Sequence, residues 1–343
     1  MRPPTTPHAT ITRTIAPIVL PKKPSQKDNP QFDWRWLSPQ YWPLWCGFAL
    51  LWLYIQLPYP VLYVTGKFIG RMLWLLGRER RYITARNLEL CFPEMSPRQR
   101  QRILLESFDS LGMTVFEMAM GWWWPDWRLK RIARVHGLQH LPKKGEQGAV
   151  LLAMHFTTLD IGAMCLSSYY KFGGMYRPHK NPLFNYIQCR GRSRAAFREK
   201  GDELVVFPRE DLRTMLQLLR RGDAVWYAPD QDYGAQHSVF VPFFGVPAAT
   251  ITATAKLVTL GRAQVLPFTH RRLPWARGYE VTVHPPLQNY PEGDEYQDAA
   301  RISAFIQEQV RQCPGQYLWS HRRFKSRPAG ESTLYPGLKK YKK

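Results

Sequence analysis

Acidic residues are the scarce component of this chain: 26 Asp and Glu stand against 48 Lys and Arg, a formal net charge of +22 over 343 residues. A field of that sign draws nucleic acid, anionic lipid or an acidic protein, and it decides nothing about the fold. Cysteine is scarce too. Cys46, Cys91, Cys165, Cys189 and Cys313 are odd in number, widely spaced and without a CxxC pair. That pattern points to neither a zinc framework nor a disulfide scaffold, and it suits a reducing cytoplasm. There is no internal repeat, no GxSxG elbow, no GxxxxGK[ST] loop and no Rossmann glycine triplet. A nucleophile-elbow serine, a P-loop and a dinucleotide fold therefore have no support. His136 and His140 are four residues apart, but Gly137 and Pro142 fit a loop and HExxH is absent, so no metal is expected. Cys165 lacks a His partner of its own, which argues against an acyl-cysteine intermediate.

Aromatic residues, in contrast, are abundant: 14 % of the chain, with 13 Trp, 17 Tyr and 17 Phe. Trp and Tyr favour the headgroup zone of a bilayer. Residues 1–30 are polar and Pro-rich, with no apolar run fit for a signal peptide, and read as a disordered tail. From Tyr41 to Thr65 no residue is charged (YWPLWCGFALLWLYIQLPYPVLYVT), a length that crosses a ~30 Å hydrocarbon core. Pro58 and Pro60 break its second half, which leaves a buried or re-entrant helix as the alternative to a membrane anchor. Lys22, Lys23, Lys27 and Arg35 precede the segment and Lys67, Arg71, Arg78, Arg80 and Arg81 follow it. The positive-inside rule thus leans toward a cytoplasmic C-terminal part. The mixture of Trp, Leu and Arg over 67–81 predicts a helix lying in the interface. The chain accordingly divides into a tail (1–30), an anchor with interfacial helix (38–81), a catalytic domain (82–330) and a basic C-terminal tail (331–343).

Ser96-Pro97 has the chemistry of a helix start, and Gly121 is a plausible stop. The tandem Trp122, Trp123 and Trp124 that follow serve as core filler or face lipid or an acyl chain. From about residue 148 the pattern becomes α/β. Strands are predicted at 149–153, 203–207, 224–228, 264–269 and 279–283, with helices over 181–190, 209–221, 250–260 and 296–312. Such alternation predicts a mixed, largely parallel sheet flanked by helices, with reactive groups beyond the carboxyl ends of its strands.

Three constellations carry possible chemistry. His155-Phe156-Thr157-Thr158-Leu159-Asp160 follows the first strand with the spacing H-x4-D. A histidine there with a carboxylate at the start of the next helix makes an Asp-oriented imidazole fit for general-base work. Asp230 and Asp232, in YAPDQDYG after the strand 224–228, bind a metal, orient an arginine or cap a turn. Arg190, Arg192 and Arg194, with Arg177 and Lys180 nearby, form a basic stretch whose guanidinium groups suit phosphate or carboxylate, or simply a solvated face. A further cluster, Trp319-Ser320-His321-Arg322-Arg323-Phe324-Lys325, lies near the end.

These motifs together resemble the late acyltransferases of lipid A biosynthesis, which add a secondary acyl chain to a Kdo-bearing lipid A precursor. The resemblance runs from about Pro39 to Pro328. It is carried by LWLYIQLPYPVLY (51–63), ARNLELCFPEMS (85–96), HFTTLD (155–160), YRPHKNPL (176–183), GRSR (191–194), VWYAPDQDYG (225–234), SVFVPFFGV (238–246) and HRRFKSRP (321–328). The wording is similar above all to the lauroyl and palmitoleoyl branch. The resemblance implies a glycerolipid acyltransferase-like fold with an N-terminal membrane-anchoring helix. It also implies His155 as general base with Asp160 as its partner, and Arg192 and Asp230 as further catalytic positions. Arg177, Asp232, Arg190 and Arg194 are the candidate substrate-binding residues. Many relatives carry Glu in place of Asp160, and some carry His in place of Gln231. Residues 195–208 look like an insertion. Acyl carrier protein is implied as co-substrate, with no cofactor and no metal. The other partners are a lipid A precursor and membrane lipids, not nucleic acid. The implied location is the cytoplasmic side of a bacterial inner membrane, by a single-pass or monotopic attachment. A lysophospholipid or other glycolipid acyltransferase with the same H-x4-D chemistry is the alternative reading, and a non-enzymatic basic scaffold a weaker one.

Overall fold

A computed structural model describes residues 30–143, 145–193 and 206–338. Of the tail expected over 1–30 and the insertion expected over 195–208, residues 1–29 and 195–205 lie outside the described residues, as does Arg194.

The N-terminal apolar segment folds as two helices, not one. Helix α1 (Trp42–Tyr54) ends before Pro58, and α2 (Tyr59–Leu76) starts after it. The prolines supply the break, and the corner is then pinned. Ile55 is fully buried, Trp124 donates its indole N–H to the Ile55 carbonyl at 2.9 Å, and Arg128 donates to the carbonyls of Gln56 and Leu57. These donors take carbonyls that a continuous helix would have used itself. At 1.5 Å per residue, α1 is about 20 Å long, short of a ~30 Å core. No helix of the described residues is long and apolar enough to cross a membrane, so the expected single-pass helix is absent. The interfacial helix over 67–81 is also divided, at Gly77, between α2 and α3 (Arg78–Cys91).

Helix α4 (Pro97–Trp123) begins as expected. Ser96 and Gln99 form a capping box, which satisfies two of the orphan donors of a helix start. It does not stop at Gly121, which packs against Met164, but runs two residues on. Trp122 and Trp124 are each 1 % exposed and Trp123 lies edge-on to Phe48. Trp122 and Trp124 thus serve as core filler, while Trp123 is half-buried. A short α5 (Asp126–Ile132) leads into β1 (Ala133–His136).

The remaining elements are β2 (Ala149–Leu152), α6 (Leu159–Ser167), β3 (Gly173–Tyr176), α7 (Pro182–Ser193), β4 (Val206–Pro208), α8 (Leu212–Arg221), β5 (Ala224–Tyr227), β6 (Ser238–Phe243), β7 (Val246–Ile251), α9 (Ala253–Gly261), β8 (Gln264–Arg272), β9 (Tyr279–Val283) and α10 (Glu295–Gln312). Seven strands form one sheet in the order β1-β9-β8-β2-β5-β3-β4. All neighbours in it are parallel except β8 and β9, which makes the sheet mixed and largely parallel. Strands β6 and β7 form a separate antiparallel hairpin.

Strand β2 is buried on both faces, as parallel strands covered by helices are. Its period of two sorts the core. Val150 and Leu152 pack with Leu218 of α8, Val258 of α9 and Ile302 of α10. Ala149 and Leu151 pack with Met113 and Phe116 of α4 and Ile161 of α6. Full burial of each such side chain contributes roughly 1.5–3 kcal/mol. Residues beyond 330 are not a free tail as far as they are described. Tyr335 is buried and donates its hydroxyl to Asn87 Oδ1 at 2.6 Å.

Candidate active site

Strands β2 and β5 run parallel with Leu152 opposite Tyr227. Three residues past each of these partners stand His155 and Asp230. Parallel register thus carries an aspartate from 75 residues away to the histidine. The imidazole Nδ1 lies 2.6 Å from Asp230 Oδ1, and the His155 backbone N–H donates to Asp230 Oδ2 at 2.9 Å. The Asp230 side chain is 1 % exposed and that of His155 22 %. Burial alone would raise the Asp230 carboxyl. The charge and hydrogen bonds of His155, with Arg323 behind, hold it below the usual carboxylate range. The carboxylate fixes one ring nitrogen, and Nε2 is left for a reactant.

Asp160 does something else. It sits in the first turn of α6, and its Oδ1 accepts from Arg192 Nε at 3.1 Å and Nη2 at 2.7 Å. The expected Asp160–His155 pairing is therefore replaced by two pairs, Asp230 with His155 and Asp160 with Arg192. The reason is positional: Asp160 is carried by α6 toward α7, while Asp230 arrives on the strand beside β2. Arg192 reaches Asp160 because α7 packs tightly against α4 at Gly191, where any Cβ would collide with the Trp122 side chain.

Asp160 and Arg192 line a cavity of about 80 Å³ whose other walls include Met164, Phe172, Gly174, Met175 and Trp226. An ion pair thus borders a slot with apolar walls.

The other predicted binding residues divide. Arg177 and Arg190 are exposed, and Arg190 donates to Tyr186 OH on its own helix at 3.1 Å. Asp232 is not available to a ligand. Its side chain has no exposed surface, and its oxygens accept from Gly234 N, Ser326 N and Ser326 Oγ. It closes a turn and ties it to the C-terminal segment.

Neighbours of His155 come from distant parts of the chain: His270, Ser110 and Gln316 carried no signal in the sequence, whereas His321 stood in the cluster near the end. Thr158 Oγ1 is 2.9 Å from His270 Nδ1; His270 is fully buried, and burial pushes its pKa down to about 4. His321 accepts from Asp232 N at 3.2 Å, and burial with the facing His155 pushes it down to about 4 as well. Two neutral imidazoles therefore flank His155 at neutral pH. Thr157 is 2.6 Å from Ser110 Oγ. Ser110 also accepts from Arg272, which is paired with the buried Glu117 at 2.7 Å. Gln316 O accepts from Thr157 N, and Leu318 N donates to His155 O. The loop after β2 is thus fixed from three sides.

Beyond the strand ends of this α/β sheet stand a buried carboxylate on an imidazole and, five residues on from His155, an Asp160–Arg192 ion pair that borders a slot with apolar walls. Similarity to known proteins gives this arrangement its family. The profile described as bacterial lipid A biosynthesis acyltransferase matches residues 29–326. The lipid A biosynthesis lauroyltransferase of Escherichia coli (strain K12) is 40% identical over 309 residues, 89% of this chain and 99% of that protein. The palmitoleoyltransferase of the same strain is 40% identical over 308 residues, 89% and 98% of the two chains. The myristoyltransferase is 30% identical over 330 residues, 92% and 96%. A solved structure of a 1-acyl-sn-glycerophosphate acyltransferase from Thermotoga maritima covers 72% of this chain and 98% of its own at 13% identity and a TM-score of 0.33, a likeness too loose to bear on the chemistry. The chain belongs to the bacterial lipid A biosynthesis acyltransferases and is an acyltransferase enzyme.

Proposed function

We propose that the chain transfers a fatty acyl group from acyl carrier protein to a hydroxyl of a Kdo-bearing lipid A precursor, with His155 as general base and Asp230 as its partner. The observation that carries this reading is the 2.6 Å contact between His155 Nδ1 and a buried Asp230 carboxylate. A substrate hydroxyl is a poor nucleophile until its proton is removed. His155 Nε2 takes that proton as the oxygen attacks the thioester carbonyl, and Asp230 stabilises the imidazolium. Arg192, held by Asp160 at the cavity mouth, supplies positive charge for the tetrahedral oxyanion. Collapse breaks the C–S bond. The phosphopantetheine thiolate leaves and recovers the proton from His155, so the acyl group moves directly from sulfur to oxygen. The cavity beside Asp160 takes the acyl chain. Side chains carry every proton, and the carrier is a co-substrate.

Attachment to the membrane is read from α1 and α2. Leu50, Leu53, Val64, Phe68, Leu75 and Leu76 are exposed there, and exposed apolar side chains on successive helices suit an interaction surface. Arg78, Arg80 and Arg81 follow α2 directly in the chain, whereas Lys67 and Arg71 turn to Asp109 of α4. A monotopic seat of α1 and α2 in the cytoplasmic leaflet of the inner membrane covers the apolar side chains and sets the arginines beside anionic headgroups.

Purified protein incubated with acyl-carrier protein and a Kdo-bearing lipid A precursor tests the reading. The expected product is heavier by one acyl group, with the carrier thiol released in equal amount. Transfer to a lysophospholipid but not to the lipid A precursor would overturn the acceptor assignment.

A further inference from the structure

We propose that Gly174, together with its register partner Trp226, sets the longest acyl chain that the cavity admits. The inference rests on the acyl-transfer reading above and adds a specificity determinant to it.

Strand β3 opens with two glycines that face opposite ways, because successive residues of a strand alternate between faces. They are glycine for different reasons. A Cβ on Gly173 would come within 2.7 Å of Leu218 Cδ1, so close packing against α8 excludes a side chain there. A Cβ on Gly174 would meet no described atom within 4 Å. Glycine in the interior of a strand weakens it and often marks a place where something else approaches closely. At Gly174 none of the described packing requires it.

The space that Gly174 leaves open belongs to the cavity beside Asp160 and Arg192, which Gly174 lines together with Phe172, Met175 and Trp226. Gly174 pairs with Trp226 across the parallel β3–β5 contact, and register partners project to the same face of a sheet. One side of this cavity floor is therefore a large indole and the other carries no side chain at all. Enlarging position 174 subtracts length from the slot, and shrinking position 226 adds it. The polar end, where Asp160 holds Arg192, is untouched by either change, so the reacting end of a shorter chain stays in place.

A series of saturated acyl-carrier donors differing by two carbons reads this out in wild type, Gly174→Ala, Gly174→Val and Gly174→Leu. The expected result is a graded move of the optimum to shorter chains. In Gly174→Leu, kcat/KM for the longest donor used by wild type falls roughly tenfold or more relative to a donor four carbons shorter. Trp226→Leu moves the optimum the other way, which keeps the proposal testable if Gly174→Leu folds poorly. An unchanged chain-length profile in folded Gly174→Val and Trp226→Leu overturns the proposal. Binding of free fatty acids of graded length, measured on the same proteins, separates the two readings. If wild type transfers no acyl group but the variants shift the length of fatty acid bound, the transfer reading falls and the chain-length determinant stands. If transfer proceeds and neither profile moves, the reverse holds.

Discussion

Two aspartates stand at the same end of the sheet and live in different surroundings. Asp230 is sealed under the loop after β2, with its side chain 1 % exposed and both oxygens on His155. Asp160 is 21 % exposed, faces Arg192 and borders an apolar cavity. Charge in a dry site interacts strongly and reorganises little, whereas charge at an open rim is screened and adaptable. The difference teaches a division of labour. On the mechanism proposed above, the buried pair handles the proton and the open pair handles the placement of substrate.

Breaking the dry half should have the largest effect. His155→Ala removes the base and should lower kcat roughly 10⁴-fold or more, with circular dichroism and membrane fractionation unchanged. Turnover near that of wild type in the folded variant contradicts the assignment.

The rim half can be perturbed without touching a charge. Gly191→Ala forces α7 off Trp122, at a cost of about 1–3 kcal/mol in stability. It should also lower kcat/KM about tenfold to a hundredfold, because Arg192 is displaced from Asp160. Wild-type kinetics in that variant would separate Arg192 from the chemistry.

Acid should reach the dry half through its buried histidine. Folded His270 has a pKa of about 4, against about 6.5 for an unfolded histidine, so between these values only the unfolded chain takes the proton. Stability is full above about 6.5 and is lost as pH falls toward 4, by at most about 3 kcal/mol from this residue. Denaturant melts across that window should show the slope, and His270→Gln should make it shallower, leaving the part that the similarly depressed His321 contributes.

The smallest effect is expected outside both halves. Arg177, Lys180 and Arg190 are exposed, and if they steer an acidic carrier protein, replacing all three with Gln should raise the carrier KM only several-fold. It should also weaken the salt dependence of kcat/KM and leave the KM of the lipid acceptor unchanged, because rim charges act mainly on association. An effect confined to the lipid acceptor reassigns these residues to headgroup binding.

What the sequence revealed follows from the range of the forces involved. Apolar runs marked β2, β5, β8 and β9, and Ser96-Pro97 marked the start of α4, because these signals are local. Strand β3 escaped notice because Gly173 and Gly174 have low strand propensity, and β1 because Arg134 and His136 leave it no apolar run. Gly121 read as a stop because helix propensity does not register its packing against Met164. The anchor read as one helix because apolarity is continuous there, although the prolines and the Trp124 and Arg128 contacts turn the chain. The sequence put His155 at its strand end, and the family resemblance pointed to Asp230 and Arg192. The spacing of five residues paired His155 with Asp160, whereas register between parallel strands brings Asp230 into contact with it. Side-chain pairing across a sheet depends on which strands are neighbours, and that is a property of the whole fold.

The division between the two aspartates can be measured directly by comparing Asp230→Asn with Asp160→Asn in kcat. Asp230→Asn should lose on the order of 10³–10⁴, because the imidazolium loses its anionic partner. Asp160→Asn should lose about tenfold to a hundredfold. If Asp160→Asn shows the larger loss and Asp230→Asn the smaller, Asp160 is the partner of His155 in the working enzyme and the buried pair does not handle the proton.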